Sequence, residues 1–324
     1  MNYQLSANLL KSVKTAKNIL VNTHKNPDYD SIASALSLQY VLKTLGKNVK
    51  IVSCQKINEH FFFLEGAEEI NFINFKSFKN FINYDLFIIP DTGNFDRVTG
   101  SKEIALPEAI DYIVIDHHKT NSFSHPLKLI DEQAGSTTEV LYSLFSDWNI
   151  KIDQNLATLL LTGILGDTVF LRYCENRKKT MKAVTDLINN GADMDFISEN
   201  FYERYDFSYI KLVGEFLARM QKEKGFVWSA VDYKTYKKYS FPEGAREMVA
   251  DLFFRGISET DFGVVLLESK KGLIILSFRS KKNTDVTKFA KLFGGGGHKN
   301  AAGATVHGNI DQIIKKIKEV IDRI

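Results

Sequence analysis

The stretch ILVNTHKNPDYDSIASALSLQYVLKTLG, residues 19–46, decides the fold. Its first five residues are mostly apolar and rich in β-branched types, which reads as a strand over 19–23. The polar run HKNPDYD follows. From 31 to 46 the apolar residues recur at helical spacing and the segment closes on Gly46, so it reads as a helix. Strand, polar loop and helix are the first half of a βαβ unit. The same order recurs downstream. VKIVS (49–53), DLFIIP (85–90) and DYIVID (111–116) read as strands. Helices are predicted over 136–148, opened by a capping box from Ser136 to Glu139, over 153–170, and over 178–190, closed by Gly191. Residues 1–194 therefore read as an α/β domain with a mainly parallel sheet. A charged, mostly helical linker is expected over 195–222. Strand-rich sequence follows: GFVWSAV (225–231), DFGVVLLES (261–269) and GLIILSFRS (272–280), ending in an amphipathic helix, 310–323. Residues 223–324 read as a smaller α/β domain.

The 324 residues are 44% apolar and 25% charged, which excludes a disordered or collagen-like chain. The apolar run Leu156–Leu165 is broken by threonines and a glycine and falls short of the ~18 residues that span a bilayer. No basic segment followed by an apolar core opens the chain, so no signal peptide is read. Cys54 and Cys174 lack the spacing of a zinc or redox motif. A cytoplasmic protein without membrane partners is expected. Residues 1–210 carry 21 Lys and Arg against 26 Asp and Glu, a charge of −5. Residues 211–324 carry 21 against 13, a charge of +8. Clustered carboxylates attract cations and a basic surface attracts phosphate.

Three strands run into acids and histidines. The first leads to His24, Asp28 and Asp30, the second to Asp91, the third to Asp116, His117 and His118. Ligands of open parallel sheets bind beyond the carboxyl ends of strands, so these groups converge on one rim. Asp167 ends an apolar helix, where a bare carboxylate is costly to bury. Carboxylates with some imidazole suit Mn²⁺, Mg²⁺ or Fe²⁺. So many carboxylates suit two divalent ions roughly 3.5–4 Å apart sharing a carboxylate bridge. Farther on, FGGGGHKNAAGA (293–304) reads as a loop whose backbone N–H groups hold an anion, with His298 and Lys299 as further donors. Arg279 ends a strand and is placed to meet the same phosphate. Lys281 and Lys282 read as a solvated face.

HKNPDYDSIASA (24–35), PDTGNFDR (90–97), IDHHKTN (115–121) and LGDT (165–168) resemble the four motifs of the DHH phosphoesterase superfamily. GGGGHKNAAG (294–303) resembles the signature of its associated C-terminal substrate-binding domain. AGSTTEV (134–140) and the compact length look most like the branch of nanoRNases and pAp phosphatases. The resemblance implies one metal held by His24, Asp28 and Asp91, and a second held by Asp30, Asp91, His117 and Asp167. Asp91 would be the bridge. It also implies that His118 faces the scissile phosphate and that Asp116 orients a ligating histidine. Arg97 and Arg172 would touch substrate or brace the site. Arg279, Gly296, Gly297 and His298 would grip a terminal phosphate and sugar, with the cleft between the domains. The substrate implied is very short RNA or a nucleotide, pAp included, and manganese is the expected ion. A homodimer is compatible with this reading without being required by it. The chain departs from the family in carrying Tyr29 where glycine is usual, Gly166-Asp167 where Thr-Asp is common, and Val169 where glycine is frequent. The alternatives are a phosphodiesterase for pApA or a cyclic dinucleotide, and a nucleic-acid-binding module without catalysis.

Overall fold

The computed structural model describes residues 2–78, 80–104, 110–124, 127–202, 205–281 and 284–321, leaving out the side chains of Arg255 and His298. Lys282, the end of the helix expected over 310–323, and the His298 side chain thus lie outside the described residues. The chain divides into two compact units, Met1–Glu203 and Arg204–Ile324.

The first unit is built on a six-stranded, all-parallel sheet. Its strands are β1 (Asn18–Thr23), β2 (Asn48–Ser53), β3 (Asn71–Phe72), β4 (Leu86–Pro90), β5 (Asp111–Asp116) and β6 (Lys128–Ile130), in the order β3-β2-β1-β4-β5-β6. The order reverses between β1 and β4, which makes their carboxyl ends the natural ligand crevice of such a sheet. β4 is buried along its whole length, as a central parallel strand covered on both faces must be. The helices are α1 (Ser6–Thr15), α2 (Tyr29–Thr44), α3 (Phe95–Thr99), α4 (Thr137–Asp147), α5 (Gln154–Asp167), α6 (Arg177–Asn189) and α7 (Met194–Tyr202). Several start on side-chain caps that satisfy otherwise orphaned N–H groups. Asp28 accepts from the Ser31 N–H at 3.0 Å, Ser136 from Glu139 at 3.0 Å, and Asp153 from Leu156 at 3.0 Å. α2, α4 and α5 are buried along most of their length and share one core with the sheet. The helix expected over 153–170 stops at Asp167, because Val169, Phe170 and Leu171 turn left-handed with φ of 49°, 52° and 65°. The two-residue β3 and three-residue β6 are too short to leave a period in the sequence.

The second unit carries a six-stranded mixed sheet. Its strands are β7 (Gln221–Glu223), β8 (Gly225–Val231), β9 (Thr260–Lys270), β10 (Leu273–Ser280), β11 (Gly296–His298) and β12 (Ala301–His307), in the order β11-β12-β10-β9-β8-β7. Only β8 and β9 pair in parallel. Its helices are α8 (Phe207–Ala218), α9 (Tyr233–Lys238), α10 (Ala245–Met248), α11 (Thr287–Lys291) and α12 (Ile310–Ile321). α11 and α12 bury one face of the sheet; α8 to α10, continued by a π turn over Val249–Phe253, bury the other. Among the described residues of the expected 195–222 linker, α7 and α8 are helical, Gln221 and Lys222 already belong to β7, and the two helices are shared out. Ile197 of α7 joins the core of the first unit, and Leu212 and Phe216 of α8 join that of the second.

Candidate metal centre and substrate-binding residues

The predicted acids and histidines of the first unit meet at the carboxyl ends of β1, β4 and β5. Three triads each offer ligand atoms within 4.8 Å of one another: His24, Asp28 and Asp91; Asp30, His117 and Asp167; and Asp91, His117 and His118. Asp91 lies 3.2 Å from His24 Nε2 by one oxygen and 3.8 Å from His117 Nε2 by the other. It therefore faces both sides of the cluster. Its own backbone is left-handed, at φ 59°. A non-glycine residue held there is a strained one, and such strain concentrates at functional sites.

The supports are as specific as the candidate ligands. The buried N-terminus of α4 holds two of the acids. Asp30 accepts hydrogen bonds from the Thr137 N–H (2.6 Å), the Thr138 N–H (3.0 Å) and the Thr138 hydroxyl (2.8 Å). Asp91 accepts one from the Thr137 hydroxyl at 3.1 Å. Anionic groups are favoured at a helix N-terminus. Sequence reasoning assigned these threonines nothing; the signal was the STTE run whose first residue caps the helix. Asp116, fully buried, accepts from the backbone N–H of His117 and His118, from Asn121, and from His118 Nδ1 at 2.7 Å. The ring that Asp116 orients is thus that of His118, whereas His117 reaches the Ala134 carbonyl.

The electrostatics call for cations. Burial pushes the Asp91 carboxyl up to about 7, with the charges of Asp30 and Asp28 adding to it. Burial likewise raises Asp30 and Asp167. At Asp28, desolvation is outweighed by His24, which holds that carboxyl well below its usual range. Desolvation opposes a charged His24 ring, but Asp28 and Asp91 overcome it and lift His24 to about 10. At His118 desolvation is overcome by the hydrogen bond to Asp116 together with the charges of Asp91, Asp116 and Asp167, giving about 9. His117 Nε2 is buried without a hydrogen bond; Asp167 is 3.2 Å away but not in line for one. An unbonded buried nitrogen facing crowded carboxylates is what a divalent ion would satisfy, so the residues present fit the expected metal.

Two family models match the chain: the N-terminal domain of the DHH family over residues 18–164, and the DHHA1 domain over 233–323. The chain carries a DHH-family N-terminal domain and a DHHA1 domain. Among its DHH relatives is the bifunctional oligoribonuclease and PAP phosphatase NrnA of Thermus thermophilus, 26% identical over 98% of this chain and 93% of that protein. A probable manganese-dependent inorganic pyrophosphatase of Streptococcus thermophilus is 28% identical over 48% of this chain and 49% of its own. The crystal structure of an exopolyphosphatase-related protein from Bacteroides fragilis superposes with a TM-score of 0.89 at 22% identity, covering 98% of this chain and 95% of that one. That likeness establishes the fold.

The remaining candidate residues of this DHH protein divide by unit. In the first, Arg97 places one guanidinium nitrogen 3.0–3.1 Å from both ring nitrogens of His24, bracing that ring. Arg172 is exposed and lies over the Tyr173 ring at 5.3 Å. In the second, strand register pairs Ser277 with Gly303 and Gly303 with Gly296, and pairs Arg279 with Ala301 and Ala301 with His298. Small residues at Gly296, Gly303, Ala301 and Ser277 leave this sheet face low beside Arg279. The Arg279 fork is already engaged, with Nε 2.5 Å and Nη2 3.2 Å from the two oxygens of Asp251 on the π turn. The glycine run is a hairpin rather than an open loop. Gly294 and Gly297 take φ of 71° and 142°, and a Cβ on Gly295 would lie 2.1 Å from the Gly303 carbonyl oxygen. Gly294 and Gly297 are thus required by their backbone angles and Gly295 by close approach, whereas Gly296 has open space around it and no left-handed φ.

Proposed function

We propose that this protein is a divalent-metal phosphoesterase that hydrolyses very short oligoribonucleotides to 5′-mononucleotides and pAp to AMP. The observation that carries the reading is the pair of triads, His24–Asp28–Asp91 and Asp30–His117–Asp167, set side by side with Asp91 facing both. The Thermus relative, aligned over almost the whole of both chains, supports the substrate class by its name. Those six residues would hold two ions, with Asp91 between them. Bound divalent ions supply Lewis acidity, an acidified water and charge neutralisation at phosphate. Manganese is favoured by the donor set and by the Streptococcus relative that aligns over about half of each chain. Thr137 and Thr138 keep the carboxylates aimed, and Arg97 fixes the His24 ring. His118, oriented by the Asp116 carboxylate, stabilises charge at the scissile phosphate or protonates the leaving oxygen. Arg279, Gly296, Gly297 and His298 bind the terminal phosphate and sugar, which confines turnover to substrates with a nearby end. No described helix is long and apolar enough to cross a membrane. The reading places the enzyme in the cytoplasm and leaves room for a homodimer.

The test is turnover of 5′-labelled RNA dimer, pentamer and 24-mer, with pAp and pApA, in Mn²⁺ and in chelator. Fast, chelator-sensitive cleavage of dimer and pentamer beside a resistant 24-mer is expected. Turnover of pApA alone would move the protein to dinucleotide signalling. No turnover with Mn²⁺, Mg²⁺ or Fe²⁺ would overturn the enzymatic reading.

A further inference from the structure

Three of the six candidate metal ligands sit on two chain segments that pack against each other, the start of α2 and the end of α5. Asp28 and Asp30 flank Tyr29 where α2 begins, and Gly166 immediately precedes Asp167 where α5 ends. A Cβ built on Gly166 would lie 2.6 Å from the Tyr29 Cβ and 3.3 Å from its Cγ. Carbon atoms that are not bonded do not approach to 2.6 Å. The Tyr29 Cβ is fixed to the backbone, so no side-chain rotation relieves that clash. The ring is itself held, stacked on Phe201 with centroids 3.9 Å apart and met edge-on by Phe61 at 5.2 Å. One turn earlier on α5, a Cβ on Gly163 would come 2.8 Å from Asp30 Oδ1 and 2.5 Å from the Thr138 side chain. The face of α5 is therefore bare where the acid-bearing start of α2 lies against it.

We propose that Tyr29 and Gly166 form an interlocking pair that sets the separation of the carboxylates on α2 and α5, with Tyr29 a positioning residue for the metal centre. This rests on the metal-centre reading above. The triad Asp30–His117–Asp167 draws one acid from each segment. The triad His24–Asp28–Asp91 takes nothing from α5. A spacer inserted between the segments therefore strikes the first triad harder than the second. Metal sites tolerate ligand displacements of only about 0.2 Å, and a methyl group at 166 demands more than that.

Manganese binding to the whole chain, followed by calorimetry and by electron paramagnetic resonance, reads this without turnover. Gly166→Ala is expected to leave one ion bound normally and weaken the other about 10- to 100-fold, the range seen when the supports of a metal ligand are disturbed. Alanine is the best helix former, so propensity cannot cause the loss. Adding Tyr29→Gly removes the opposing Cβ and is expected to restore the weakened ion to within about threefold of the Tyr29→Gly single variant. Adding Tyr29→Ala keeps that Cβ and is expected not to. Unchanged binding in Gly166→Ala, or equal rescue by Tyr29→Ala, overturns the proposal. If Gly166→Ala fails to fold, recovery of folded, manganese-binding protein in the Gly166→Ala/Tyr29→Gly double variant upholds it, and a double variant that also fails overturns it. A wild-type chain that binds one ion overturns the two-ion reading; weakening of that ion in Gly166→Ala then still upholds the contact, and its absence overturns it.

Discussion

Asp91 carries the centre at the scale of single residues, because its two oxygens face opposite sides of the cluster from a strained backbone. Asp91→Asn keeps its shape and removes its charge. In wild type, Mn²⁺ at 100 times its Kd is expected to stabilise the fold by about 2.7 kcal/mol. In Asp91→Asn that gain is expected to vanish; thermal unfolding with and without Mn²⁺ reads it, and a full gain in the variant would remove Asp91 from the ligand set. Asp131 makes a prediction away from the metals. Its carboxylate takes hydrogen bonds from Tyr3 at 2.8 Å and from Lys179. Desolvation is outweighed by the bonds from Lys179 and Tyr3 together with the Lys179 charge, and the carboxyl is held below its ordinary value. A depressed folded value means stability present above the unfolded value and lost as pH falls through the folded one. Lys179→Met is therefore expected to cost about 1–2 kcal/mol at pH 7 and progressively less in acid. Unfolding midpoints across a pH series would show the two curves converging; parallel curves would refute the pairing. Much at this scale was legible in the sequence, because strand-end acids and histidines stand out locally. The partner of Arg279 was not. Asp251 lies 28 residues away on a π turn, which no periodicity announces. The departures at Tyr29 and Gly166 looked separate in the chain and are one contact in the fold.

At the scale of elements, the start of α4 and the turn after α5 do the positioning. Thr138→Val keeps the side-chain shape but removes the 2.8 Å hydroxyl bond to Asp30. Its manganese affinity is expected to fall about tenfold with the fold intact, measured by calorimetry beside far-UV circular dichroism; unchanged affinity would show the two backbone N–H groups of α4 to be sufficient. The turn Val169–Leu171 holds three non-glycine residues in left-handed backbone, at about 1–2 kcal/mol each. Thr168 braces it by donating its hydroxyl to the Ile164 carbonyl and accepting from the Leu171 N–H. Val169→Gly relieves a β-branched residue at φ 49° and is expected to stabilise the protein by about 1 kcal/mol after the glycine's extra freedom when unfolded. That amounts to roughly 2–4 °C in the unfolding midpoint of a unit this size; a lower midpoint would mean the Val169 side chain contributes more packing than it costs in strain. The helix was read through to 170 because the residues are apolar and nothing in them marks a left-handed turn. Strands β1, β4 and β5 were legible because central parallel strands are near-continuous apolar runs.

At the scale of the whole molecule, the charge is split, −5 over residues 1–210 and +8 over 211–324. This separates the enzymatic reading from a nucleic-acid-binding module with the same basic surface. A module that tracks a long single strand neutralises many phosphates, and each contributes a slope of about −0.7 in log K against log salt. An enzyme that grips one end of a dimer meets one or two phosphates, whatever the length of chain beyond. Its apparent affinity is expected to follow a slope near −1, equal for dimer and pentamer. KM in Mn²⁺ measured from low to moderate potassium chloride checks this. A slope that steepens with each added nucleotide would mean that the basic part binds strand rather than end, and would favour the module.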